Sequence, residues 1–305
     1  MSRHGRERDR SWPAGPEPLA VGVVDNHTHL DSAAELPPGE VAPTLAEQIA
    51  RAAVVGVTRM VQVGCDLDAA RWTDKVVREH LELLGGVAIH PNEATLFAGA
   101  RDVGPDGLAP QPRPEHARGL DAAIAEIADL ARGNDRIRTI SETGLDFFRC
   151  GEDGRAAQVA AFRAHLALAK ELDLAVQIHD RDAHAEVLEV LARDGAPDRT
   201  VFHCFSGDAQ MARFCATQGW YLSFAGPITF ASADGLRAAL REVPLGQVLV
   251  ETDAPYLTPH PYRGRPNAPY LLPHTVRAVA AVKGVDVDQA CRTIAATSTG
   301  VYGSW

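Results

Sequence analysis

Two histidines stand one residue apart at the end of a β-branched run, His27 and His29 in Val24-Asp25-Asn26-His27-Thr28-His29. Residues i and i+2 of a strand project to the same face, so both imidazoles can grip one ion. Four more side chains of ligand type follow, each at the end of its own apolar run: Glu142, His179, His203 and Asp253. A His-x-His pair alone is more often incidental, and a lone histidine is more often a hydrogen-bonded core residue. The joint pattern reverses those odds. Imidazoles and carboxylates that recur at the same place in successive runs describe a metal site, and its natural chemistry is attack by an activated water.

What would bring such distant residues together is the order of elements. Short β-branched runs at 20–26, 59–64, 85–89, 137–141, 175–178, 200–204, 220–224 and 248–252 alternate with amphipathic stretches at 44–55, 68–80, 119–131, 155–172, 185–193, 209–218, 234–243 and 272–283. A further helix is expected at 286–297. Regular strand-helix alternation implies a parallel sheet, and eight units close a barrel. The expected fold is therefore α/β, a single (β/α)8 TIM barrel with an extra C-terminal helix. The competing open doubly wound sheet lacks its Gly-x-Gly-x-x-Gly after the first strand. In a barrel the carboxyl ends of the strands form one mouth, which is where the six ligand-type residues would converge. Residues 98–118, rich in Gly, Pro and Arg, read as a surface loop interrupting the third unit.

The chain has 305 residues, 46% hydrophobic and 23% charged, which is ordinary for a globular protein with a sizeable core. Residues 1–18 read as a disordered polar tail and 19–305 as one domain. A formal charge of −10 argues against a broad basic face that coats nucleic acid, while bound cations would still supply a local positive site. No apolar run has the length of a membrane span or the form of a signal peptide, so a cytoplasmic location with no membrane partner is expected. No obligate protein partner is evident. Five scattered cysteines without a C-x-x-C pair read as reduced thiols.

The motifs Val24-Asp25-Asn26-His27-Thr28-His29-Leu30-Asp31, Ala88-Ile89-His90-Pro91, Ser141-Glu142-Thr143-Gly144-Leu145-Asp146-Phe147, Ile178-His179-Asp180-Arg181, His203-Cys204-Phe205-Ser206-Gly207 and Val250-Glu251-Thr252-Asp253-Ala254-Pro255-Tyr256-Leu257 occur in the order seen in TatD-family hydrolases. The chain resembles that family of the amidohydrolase superfamily from about residue 21 onward. The resemblance implies two divalent ions, one held by His27, His29 and Asp253, the other by His179 and His203, with Glu142 bridging. Zn, Mn, Co and Mg all remain open as the metal, because the mixed nitrogen and oxygen donors do not name one. Related barrels often bridge with a carbamylated lysine, but Lys75, Lys170 and Lys283 all lie in helical stretches, which leaves Glu142.

Asp253 is also expected to accept the proton of the attacking water. His90, Glu251, Arg263 and Asn267 are the candidates for substrate contact; the alternatives weighed are a helix or loop cap for His90, a paired core carboxylate for Glu251 and a solvated loop for Arg263. In Pro266-Asn267-Ala268-Pro269 the arginine and the glutamate common in the family around this asparagine are missing. The implied activity is a metal-dependent deoxyribonuclease, a 3'-5' exonuclease-type phosphodiesterase on DNA ends or single strands. The alternatives are ester or amide hydrolysis, such as removal of D-amino acids from tRNA or opening of a small lactone, and a non-catalytic barrel that only binds metal or a partner.

Overall fold

Strands covered on both faces need small or apolar side chains throughout, and β3 (Leu83–Val87), β6 (Thr200–Phe202) and β8 (Val248–Val250) are buried at every position. With β1 (Val23–Thr28), β2 (Val57–Gly64), β4 (Ile137–Asp146), β5 (Ala175–Arg181) and β7 (Tyr221–Phe224) they form one eight-stranded sheet in sequential order. Every neighbouring pair is parallel. The computed structural model describes residues 9–32 and 41–305.

The ring closes where the last strand meets the first. The Asp253 N–H donates to the His27 carbonyl at 3.0 Å, and the His29 N–H to the Ala254 carbonyl at 2.8 Å. Between them the buried Asp25 carboxylate accepts from the Thr252 N–H at 2.9 Å and its hydroxyl at 2.5 Å. The seam is thus built from the segments that carry three of the expected ligands.

Around the barrel run α1 (Leu45–Val54), α2 (Leu67–Glu79), α3 (Pro91–Phe97), α4 (Leu120–Gly133), α5 (Glu152–Glu171), α6 (His184–Asp194), α7 (Ala209–Thr217), α8 (Asp234–Glu242) and α9 (Leu272–Lys283). Polar caps set several starts: Thr44 and Glu47 form a reciprocal capping box on α1, while Asp66 and Asp208 cap α2 and α7. The extra helix, α10 (Val287–Tyr302), begins at Asp286 and ends under the barrel. There Val301 and Tyr302 join Val61, Val63, Leu84, Ala175, Val201 and Leu249 in a cluster separate from the main core between sheet and helices.

Four sequence expectations change. β1 starts three residues and ends two residues later than 20–26, so His27 lies inside the strand. β4 and β5 extend to Asp146 and Arg181, past Glu142 and His179, because their pairing continues there. Helix α3 was not expected; it starts on Pro91, whose fixed φ suits a first helical position, with the His90 ring as its cap. Finally, residues 9–18 of the supposed disordered tail pack against the barrel, whereas residues 1–8 lie outside the described residues. The Arg51 guanidinium lies over both Trp12 and Tyr270, the Tyr270 hydroxyl donates to the Pro13 carbonyl at 2.7 Å, and Arg265 binds the carbonyls of Ser11 and Trp12. One tryptophan and a run of backbone carbonyls anchor a segment whose composition alone is polar.

Candidate metal centre

Glu142 sits at the centre of the mouth, 4% exposed, and its two oxygens face different histidines. Oε1 lies 2.5 Å from His179 Nδ1, 2.6 Å from His203 Nε2 and 3.5 Å from His90 Nε2. Oε2 lies 3.6 Å from His27 Nε2 and 3.9 Å from His29 Nε2, and accepts from the Cys65 thiol at 3.3 Å. Asp253 Oδ1 completes the second group, 3.4 Å from His29 Nε2 and 3.9 Å from His27 Nε2. Its backbone is left-handed at φ 51°, the kind of strain that surrounding contacts must hold in place. Close backbone approach supports the arrangement at two glycines. A Cβ on Gly144 would fall 2.1 Å from the His179 carbonyl, and one on Gly86 2.9 Å from the Ser141 Cβ beside Glu142.

The donor set fits a cation. The Gln177 Nε2 faces the Asn26 carbonyl at 2.8 Å, which can only accept, so its Oε1 is the atom turned toward His27 Nδ1 at 2.6 Å. His27 must therefore donate from Nδ1. His29 Nδ1 likewise faces the Val63 carbonyl at 3.0 Å and must donate. In the neutral rings both Nε2 atoms then carry lone pairs, and these atoms lie 3.2 Å apart beside the Asp253 carboxylate. Two lone pairs and a carboxylate that converge without a hydrogen between them are satisfied by a metal ion. His203 is backed by Glu251 at 3.2 Å and His179 by Asp146 at 3.2 Å, so each of the four imidazoles has an outer partner.

Without a cation the carboxylates recruit protons instead. Burial pushes the His29 imidazole down, but Asp253 and Glu142 outweigh it and raise it to about 10. Burial likewise opposes the charge on His179, which Glu142 and Asp146 raise to about 9. For Glu142 burial works against the anion, yet His203, His90 and His179 hold its carboxyl well below the usual carboxylate range. The pocket is thus electrostatically primed for positive charge, supplied by protons or by metal.

Above these residues opens a cavity of about 790 Å³. Its wall includes Asp106, Leu108, Ala109, Pro110 and Gln111, so the segment read as a surface loop forms one side of the mouth. Arg113 clips that segment through Asp66 at 2.9 Å and through Glu93 and Glu115, each at 2.8 Å. His116 adds a bond to Glu93 at 2.8 Å while its Nδ1 accepts the Arg113 N–H, so this acidic cluster is charge-paired internally by Arg113.

The four expected substrate contacts separate. His90 lines the cavity and also caps α3, its Nδ1 accepting the Asn92 N–H at 3.1 Å; the mobile proton therefore sits on Nε2, toward the mouth. Glu251 is fully buried behind His203, accepting from the Cys204 N–H and the Ser223 hydroxyl, each at 2.6 Å, and is out of substrate reach. Asn267 is buried too and donates to the Thr252 carbonyl at 2.9 Å, pinning the loop after β8. Arg263 is exposed over the Phe230 ring and is not among the residues lining the cavity, whereas Arg149 and Arg181 are. Sequence reasoning missed these two arginines, as well as Cys65, Asp146 and Gln177. Asp146 and Arg181 stood inside quoted motifs; nothing local marked Gln177 or Cys65.

Residues 24–303 match the family model described as TatD related DNase. The chain is 40% identical over 262 residues to an uncharacterized metal-dependent hydrolase TatD of Mycobacterium tuberculosis, covering 85% of this chain and 89% of that relative. It is 31% identical over 262 residues to an uncharacterized metal-dependent hydrolase YabD of Bacillus subtilis, covering 86% and 91%. Among solved structures, the TatD homolog YJJV of Escherichia coli superposes with a TM-score of 0.75 at 22% identity, over 92% of this chain and 97% of that one. That likeness supports the barrel fold.

Proposed function

Starting from the fact that this chain belongs to the TatD-related DNase family and is a metal-dependent hydrolase, we propose that it is a two-metal phosphodiesterase acting on DNA ends or single strands, as a 3'-5' exonuclease. The observation that carries this reading is the divided environment of Glu142, one oxygen toward His179 and His203 and the other toward His27 and His29. His27, His29 and Asp253 would hold one ion and His179 and His203 the other, with Zn, Mn, Co or Mg as candidates. When bound, such ions supply a nucleophilic water at neutral pH and offset charge on phosphoryl oxygens.

The chain's own groups do the remaining work. Asp253 takes the proton of the attacking water; even in the metal-free site, where burial opposes its charge, the protonated His29 and the nearby His203 hold its carboxyl below the usual range, so it is ionised at neutral pH. His90 presents its Nε2–H to a substrate oxygen, its pKa lowered by burial so that the neutral donor persists. Arg149 and Arg181 on the cavity wall meet phosphates beyond the scissile one, which fix register without reading sequence. At about 790 Å³ the mouth has room for a nucleotide.

The test is turnover of end-labelled single- and double-stranded DNA by the full chain loaded in turn with each metal, beside a nitrophenyl phosphodiester and carboxyl esters. Release of mononucleotides from the 3' end of single strands is expected. Hydrolysis of esters, D-aminoacyl-tRNA or lactones without phosphodiester cleavage would replace the reading with the ester or amide alternative.

A further inference from the structure

The floor of the barrel reaches the metal centre through one amide. Gln177, 1% exposed in the interior of the ring, makes all the hydrogen bonds its side chain can make. Its Nε2 donates to the Asn26 carbonyl at 2.8 Å and to the Tyr302 hydroxyl at 2.7 Å. Its Oε1 accepts from Ser141 Oγ at 2.7 Å and from His27 Nδ1 at 2.6 Å. Tyr302 ends α10, 2% exposed, with Trp305 packed edge-on to its ring at 6.3 Å and Arg59 over Trp305 at 5.5 Å. A phenol oxygen on the last helix therefore touches the group that decides which nitrogen of His27 carries the proton.

We propose that Tyr302 is a positioning residue for metal binding: by taking the second amide hydrogen of Gln177, it holds Oε1 against His27 Nδ1 and so keeps the His27 lone pair on Nε2, facing the metal. The Asn26 carbonyl alone decides which end of the amide faces it, but one bond leaves the plane free to swing. The second bond stops the swing. Rotation of the amide away from His27 would free the imidazole to take its other tautomer, with the hydrogen on Nε2 and no lone pair to offer. If Tyr302 only filled space under the barrel, phenylalanine would serve equally well there.

The relay depends on a divalent ion beside His27 and not on what the enzyme cleaves. It is tested by titrating zinc into the metal-free full chain against a chromophoric chelator, with stoichiometry from elemental analysis. Gln177→Leu should weaken one zinc by about 10–100-fold and spare the other, the usual range for losing a ligand's outer partner. Tyr302→Phe should weaken the same zinc by a smaller factor, on the order of three- to tenfold, because Asn26 still holds one N–H. In the double variant Tyr302→Phe should add nothing to Gln177→Leu, since the group it acts through is gone. Gln177→Glu, which retains an acceptor for His27, should recover affinity relative to Gln177→Leu. Zinc affinity unchanged in Tyr302→Phe, losses that multiply in the double variant, or a Gln177→Glu protein no better than Gln177→Leu would each overturn the relay. A wild-type chain that binds no zinc would remove the two-metal reading as well, so the two failures are distinguishable.

Discussion

At Glu142 one negative charge stands between two groups of imidazoles, so Glu142→Gln keeps the shape of the site and removes the compensation between the two proposed cations. Metal content should fall by at least one ion per chain, and turnover by at least about a hundredfold. His27→Ala and His203→Ala each strip one group only, and should leave one ion while abolishing turnover; elemental analysis of the purified, folded variants makes the comparison. A Glu142→Gln protein with two tight ions and near-normal turnover would refute the bridge. Asp25, on the same strand, sets a pH dependence. Burial raises its carboxyl to about 8 from 3.8, despite the donors from Thr252 and His27. The unfolded chain gives up this proton first, so the stability Asp25 contributes is complete below about pH 4 and is lost as pH rises to about 8. In the metal-free protein, Asp25→Asn should flatten the fall of Tm across that window, measured as the difference from wild type at each pH. That the inward-facing residues converge was legible in sequence because they repeat at strand ends. Outer partners such as Gln177 and Asp146 depend on the register between strands, which carries no local pattern. For the same reason Glu251, two residues from Asp253, gave no sign that His203 would stand between it and the mouth.

Among the elements, the strap at 98–118 is the surface loop expected but also walls the cavity, and the segment at 9–18 is where sequence and structure part. Both are polar, rich in Pro or Arg and without periodicity, so neither announces a partner. The strap is held by charge: Arg113→Ala removes its bonds to Asp66, Glu93 and Glu115 at once. Because the strap walls the cavity without touching Glu142, KM for oligonucleotide should rise about three- to tenfold while kcat changes little; an equal fall in both kcat and kcat/KM would place the strap in the chemistry. The N-terminal segment is held by Trp12 under Arg51. Trp12→Ala should cost about 1–2 kcal/mol, since the ring is only half-buried, and lower Tm by roughly 2–8 °C with kcat/KM unaltered. The number and order of the strands and most of the helices, by contrast, were legible, with strand ends off by up to five residues, because alternation of short β-branched runs with amphipathic stretches leaves few other ways to bury both. α3 escaped because its seven residues are too few for a period, and only the His-Pro start marks it.

For the whole molecule, the core owes nothing to metal: the buried apolar residues lie between sheet and helices and beneath the mouth. Chelation should abolish turnover yet leave the far-UV circular dichroism intact, with Tm lower by roughly 5–10 °C for loss of about 3 kcal/mol per ion at a hundredfold excess over Kd. Loss of the helical signal on chelation would show instead that the ions hold the barrel together. The seam between β8 and β1 has a temporal meaning. Asp25 and Thr252 touch across 227 positions, and Asp253 follows next in the chain. A polypeptide still emerging from the ribosome presents His27 and His29 long before the carboxylate that completes their group has been translated. Closure of the ring cannot precede synthesis of β8, and assembly of the centre waits on that closure. An enzyme proposed to cut phosphodiesters is thereby silent through most of its own synthesis on a machine made largely of them.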